Sequence, residues 1–143
     1  MRKIAIFFFI IVAIVVAVVY TYLDYQNKQN EVRKENKFYE DYFDKEINGL
    51  EIASIINKVI NKNDKTEVNK DEKGYYIEDK NSIKIDIKII DNDKTYKMED
   101  LYKSGMDKFT SFYGQIKFKC TKIEYHEENQ KVKYLLFEQT TIY

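Results

Sequence analysis

Reactive side chains at workable spacing are scarce in this chain. It has one histidine, His126, and one cysteine, Cys120. His126-Glu127-Glu128 sets three potential metal ligands in a row. Neighbours in an extended segment point to opposite faces, so a tripeptide cannot close around an ion. A zinc site takes three or four ligands from spaced positions. His126 is therefore expected to be a polar residue at the end of a hairpin. Cys120 and His126 share strand parity, but an expected bulge between them spoils the pairing. Cys120 falls mid-strand on an apolar face, where a buried thiol is inert. One cysteine also excludes an internal disulfide.

The other motifs resolve into ordinary structure. Asp91-Asn92-Asp93-Lys94-Thr95 begins like a calcium loop. Tyr96 stands where glycine is needed and Tyr102 where the bidentate Glu is needed, so a polar turn is expected. Ser54, Ser82, Ser104 and Ser111 lack a nucleophile-elbow context. Gly49, Gly74, Gly105 and Gly114 are isolated and form no phosphate loop. With 24 acidic residues, some carboxylates fall close together in any fold, so pairs of them carry no signal. No enzymatic activity, cofactor or metal is expected. Lys84, Lys88, Lys117 and Lys119, with Lys131 and Lys133, are expected on the solvent face of a sheet. They are a candidate surface for anionic lipid or an envelope polyanion. The plainer alternative is solubility and protection against edge pairing.

The elements that would position these residues begin with an apolar helix. Ile4–Tyr20 reads IAIFFFIIVAIVVAVVY without a polar break. Residues 4–23 make about 20 residues and about 30 Å of helix, the thickness of a hydrocarbon core. Ile4, Phe8, Ile11, Ile14 and Val18 mark the span. Its Ile, Val and Phe residues contribute roughly −4 to −8 kcal/mol to insertion. Tyr20, Tyr22 and Tyr25 suit an interfacial belt. The run exceeds a signal-peptide core and no A-x-A site follows it, so an uncleaved anchor is expected. Arg2 and Lys3 favour an internal N-terminus and an extracytoplasmic C-terminal domain, although Lys28, Arg33, Lys34 and Lys37 weaken that bias.

Net charge is zero. Residues 1–23 hold Arg2 and Lys3 and no acid, so the rest of the chain is weakly acidic. That excludes the basic footprint of a nucleic-acid-binding domain. The expected organisation is an anchor over residues 1–23, a polar helical stalk over 24–46 and a small α+β domain over 47–143. With no proline between them, the anchor helix can run on into the stalk. Val32, Tyr39, Phe43 and Ile47 form a loose helical stripe.

Asn48 and Glu51 match a capping box, with Ile47 and Ile52 as the staple. The apolar face Ile52, Ile55, Ile56, Val59 and Ile60 then predicts a helix over 49–62. A short strand is expected at Gly74–Ile77. Ser82–Ile90 alternates strictly, with Ile83, Ile85, Ile87 and Ile89 on one face. Met98–Phe112 reads as one helix, with Gly105 costing about 1 kcal/mol against Ala. Gln115–His126 and Lys131–Glu138 are strands of a hairpin, with a bulge near Thr121–Lys122. Thr140–Tyr143 extends the second. The fold class is α+β: an N-terminal transmembrane helix and polar helical stalk, then a small antiparallel sheet with helices packed on one face.

An apolar N-terminal helix, polar continuation and terminal sheet resemble a type IV pilin or pseudopilin in layout. That family has a Gly before a Phe-initiated apolar run and a Glu five residues in. Here Lys3 precedes Ile4 and residues 4–20 contain no Glu. The resemblance therefore implies neither prepilin processing nor filament packing. The expected function is a membrane-anchored, non-enzymatic interaction module. It meets the bilayer through residues 4–23 and a protein partner of unknown identity. The alternatives are a pilin-like or envelope-assembly subunit, or a ligand-binding or enzymatic domain with a pocket that sequence does not reveal.

Overall fold

The computed structural model describes residues 2–90 and 93–140. Its contacts divide the chain into two units, Met1–Glu35 and Asn36–Tyr143. Helix α1 (Arg2–Glu40) runs through 39 residues without a break. No proline or glycine interrupts it, and Thr21 returns its hydroxyl to the Ala17 and Val18 carbonyls. Residues 4–23 of α1 are all exposed.

The second unit is a mixed α+β domain. After α1 it holds β1 (Glu46–Asn48), α2 (Gly49–Lys65), β2 (Lys84–Ile89) and β3 (Lys94–Lys97). Then come α3 (Met98–Ser104), α4 (Met106–Tyr113), β4 (Lys117–Tyr125) and β5 (Val132–Gln139). The five strands form one sheet in the order β1-β4-β5-β2-β3. Every neighbouring pair is antiparallel except β2 with β5, which is parallel. The chain reaches that parallel pair only after β3, two helices and β4, a connection long enough for a parallel neighbour.

Helix α2 starts as its capping box requires. The Glu51 N–H donates to Asn48 Oδ1 at 2.9 Å, and the Asn48 N–H donates to Glu51 Oε2 at 3.2 Å. Ile52, Ile55, Ile56, Val59 and Ile60 are buried against the sheet. The sheet offers Ile85, Ile87 and Ile89 from β2, Leu135 and Phe137 from β5, and Phe118 and Cys120 from β4. Cys120 faces Phe137, after which the register slips so that Lys122 faces Leu136 and Ile123 faces Leu135. This is the bulge expected at Thr121–Lys122. It returns Ile123 to the inner face.

Four expectations need correction. The stripe through Val32, Tyr39, Phe43 and Ile47 is not one helix face. Helix α1 ends at Glu40, Asp44 adopts φ 62°, and its N–H donates to the Cys120 carbonyl at 3.0 Å. Phe43 bridges to Cys120, and Ile47 belongs to β1, paired with Phe118. Gly74–Ile77 is not a strand. Asp71 Oδ1 gathers the Lys73 and Tyr75 N–H groups into a turn, and the Tyr76 N–H goes to the Glu99 carboxylate. Only an isolated bridge, Lys70 to Tyr76, remains there. Met98–Phe112 is two helices, because Gly105 sits at φ 95°, ψ 121° and breaks the turn. Strand β3, antiparallel to β2, takes Lys94 and Thr95 from the expected polar turn and adds Tyr96 and Lys97, for which no element is expected. Asp91, Asn92 and the extension at 141–143 lie outside the described residues.

Three buried amides finish the strand ends. Asn63, fully buried near the end of α2, donates from Nδ2 to the Ile83 carbonyl at 2.8 Å and accepts the Ile83 N–H at 3.0 Å. Asn36 does the same at the start of β5. It donates to the Gln130 carbonyl at 2.7 Å and accepts the Val132 N–H at 3.0 Å. Gln139 Oε1 accepts the Ile90 N–H at 3.0 Å, beyond the last residue of β2. Each amide stands in for a missing strand neighbour, satisfying backbone groups that burial would otherwise orphan.

Candidate functional site

The residues expected to span a membrane lie on α1. Ile4, Phe8, Ile11, Ile14 and Val18 are all exposed. Among the described residues, α1 is the one helix long and apolar enough to cross a membrane, and none of its apolar window is buried.

Lys84, Lys88, Lys117 and Lys119 all project from the open face of the sheet, opposite the helices. They do not form one basic patch. Lys84 and Lys88 are on β2 and Lys117 and Lys119 are on β4, with β5 between those strands. Register produces a cross-strand row Glu46, Lys119, Glu138, Lys88 that alternates in sign. Lys88 Nζ lies 3.5 Å from Glu138, and Lys119 Nζ lies 2.7 Å from Asp44. The Asp44 contact holds the Lys119 amine above its ordinary value. The Tyr134 hydroxyl donates to Asp86 at 3.1 Å on the same face. Burial and then the Asp86 charge push the Tyr134 phenol well up. Opposite charges facing each other across strands stabilise the pairing and offset the positive charge of Lys88 and Lys119.

Cys120 is fully buried beneath the helices, and burial pushes its thiol up to about 11. Among the described residues, the one polar contact of the thiol is the Lys122 carbonyl at 3.7 Å. His126 is not beside it. Its ring reaches the Ser82 carbonyl, with Nε2 at 2.8 Å. A carbonyl only accepts, so Nε2 carries a hydrogen; in the neutral form of the ring the other nitrogen is then an acceptor. The sequence places His126 at a hairpin end and gives no sign of this contact, since Ser82 is 44 residues away and no local signal links them.

Around His126 lies a cleft of about 380 Å³. One wall is the loop Glu78-Asp79-Lys80; the other is the hairpin end with Glu127 and Glu128, and Lys133 of β5 closes it. The loop is set by its own hydrogen bonds: Asp79 Oδ1 accepts from Asn81 N–H at 2.7 Å and Ser82 N–H at 2.9 Å. Asn129 of the hairpin donates to the Lys80 carbonyl at 2.6 Å, tying the walls together. Glu78 and Lys133 approach at 3.6 Å. The cleft holds no hydroxyl or thiol nucleophile. Among the described residues, no three His, Cys, Asp or Glu side chains are arranged to hold a metal ion.

A smaller apolar hollow of about 240 Å³ lies between the loop and α3, lined by Ile60, Tyr76, Glu99 and Tyr102. Tyr76 donates to Asp64 at 2.7 Å, and burial followed by that hydrogen bond pushes its phenol up to about 12. This hydrogen-bonding ties the loop to α2. No family model, curated protein or solved structure matches this chain.

Proposed function

We propose that this chain is a single-pass membrane protein. In this reading residues 4–23 of α1 cross the bilayer, and the α+β domain is a non-enzymatic binding module on the extracytoplasmic side. The observation that carries the reading is the apolar stretch of α1, which is exposed all round. A helix apolar on every face needs an apolar surrounding, and its length of about 20 residues fits a hydrocarbon core. Arg2 and Lys3 at one end support an internal N-terminus. The binding-module part draws on the domain's charged cleft, whose walls are tied together by the Asn129–Lys80 contact.

Two measurements on one strain test this. Alkaline carbonate extraction of membranes should leave the protein in the pellet; release into the supernatant would refute the anchor. A thiol placed at exposed Glu72 (Glu72→Cys, with Cys120→Ala) should react with a membrane-impermeant maleimide in intact cells. Labelling only after lysis would put the domain in the cytoplasm and reverse the orientation.

A further inference from the structure

We infer that the cleft around His126 is a binding site for a cationic hydrogen-bond donor, a guanidinium or ammonium group. The inference deepens the reading of the domain as a binding module and does not depend on which side of a membrane it faces.

The central observation is the histidine. His126 is only 7% exposed, yet it lines the cleft. Nε2 is committed to the Ser82 carbonyl. The remaining ring nitrogen has no hydrogen-bond partner among the described residues and is reached by solvent. In the neutral ring it is an acceptor held in one orientation. A ring fixed through its second nitrogen is how proteins aim a histidine at a ligand.

Charge decides what it would accept. Four carboxylates line the cleft against two lysines. Glu78 is engaged with Lys133, and Asp79 is engaged with backbone N–H groups. Glu127 and Glu128 are exposed at the rim. The field at the mouth is negative, and the acceptor at the base requires a donor. A guanidinium meets both conditions, since it carries charge and several N–H groups in one plane. The volume, about 380 Å³, admits one such side chain or a small amine. The walls are preorganised by the Asn129–Lys80 contact, so little ordering is needed on binding.

The cationic group could be carried by a partner's basic side chain or by a free amine, and the test separates them. Because His126 is the only histidine, its ring gives a single set of NMR resonances in the full chain in detergent micelles. Three probes are titrated: N-acetyl-arginine amide, putrescine, and the neutral isostere N-acetyl-citrulline amide. The expected result is a saturable shift of the His126 ring nitrogen with the arginine probe and none with citrulline. Saturation with putrescine alone would assign a free amine. Glu127→Gln with Glu128→Gln, both at the exposed rim, should weaken binding about five-fold by removing two screened charges. No saturable shift with either cation, an equal shift with citrulline, or binding unchanged by the double substitution would overturn the assignment. If the cleft fails while crosslinking still recovers a protein neighbour, the binding-module reading stands on another surface.

Discussion

Replacing Asn63 by alanine isolates one of the amides that finish the strands. Asn63 is 0% exposed and Ile83 is 1% exposed. The substitution removes both partners of Ile83, its carbonyl at 2.8 Å and its N–H at 3.0 Å. Water does not reach either group, so each pays the cost of burial unpaired, about 1–3 kcal/mol. Two such groups cost about 2–6 kcal/mol. Alanine recovers about 0.5 kcal/mol of helix propensity over asparagine. The net expectation is a loss of about 1.5–5.5 kcal/mol. In a domain of this size each kcal/mol lowers Tm by about 4 °C or more. The assay is urea and thermal denaturation of the full chain in detergent, followed by near-ultraviolet circular dichroism, which reports the tyrosine-rich domain. The control is Asn61→Ala, on the exposed side of the same helix. If Asn63→Ala loses less than about 1 kcal/mol, or no more than the control, the amide is not holding β2 to α2 and the reasoning fails.

Gly49→Ala should cost about 1–3 kcal/mol or more, because a Cβ there would sit 2.0 Å from the Tyr113 carbonyl oxygen, which is backbone and cannot swing aside; denaturant unfolding at wild-type stability would contradict that packing. Lys62 titrates at about 8, held down first by burial and then by the charge of Lys131. Its folded value lies below its unfolded one, so the unfolded state binds more protons between about 8 and the ordinary lysine value near 10.4, and this residue's contribution to stability rises with pH there. Lys62→Met should therefore be more stable than wild type at pH 7 and lose that advantage progressively as pH rises from about 8 to about 10.4; a pH-independent difference would refute the assignment. Cys120, with its thiol pushed up to about 11, should resist maleimide in the folded protein at pH 7–8 and react within minutes after denaturation. Rapid labelling without denaturant would show that the sheet's inner face opens.

Several elements were legible because their signals are local. The apolar run of α1, the Asn48–Glu51 cap of α2, the isoleucine alternation of β2 and the phase change in β4 each occupy a few neighbouring residues, and each appears where its pattern predicts. What tertiary structure decided lies beyond that range. Strand β1 is three residues long and acquires its identity only by pairing with β4. The Gly74–Ile77 segment has strand composition, but Asp71 and Glu99 capture its N–H groups before a ladder can form. Gly105 breaks a helical pattern because φ 95° is open to glycine at no steric cost. The lysines share a face as alternation requires, yet pairing order sets Glu138 and Asp44 beside two of them, which composition does not reveal. The cleft is the clearest case. The sequence shows His126 and its acidic neighbours, but only the contact with Ser82 fixes the ring, and that contact exists because the parallel pairing of β2 with β5 brings the entry of one strand beside the hairpin that leads into the other.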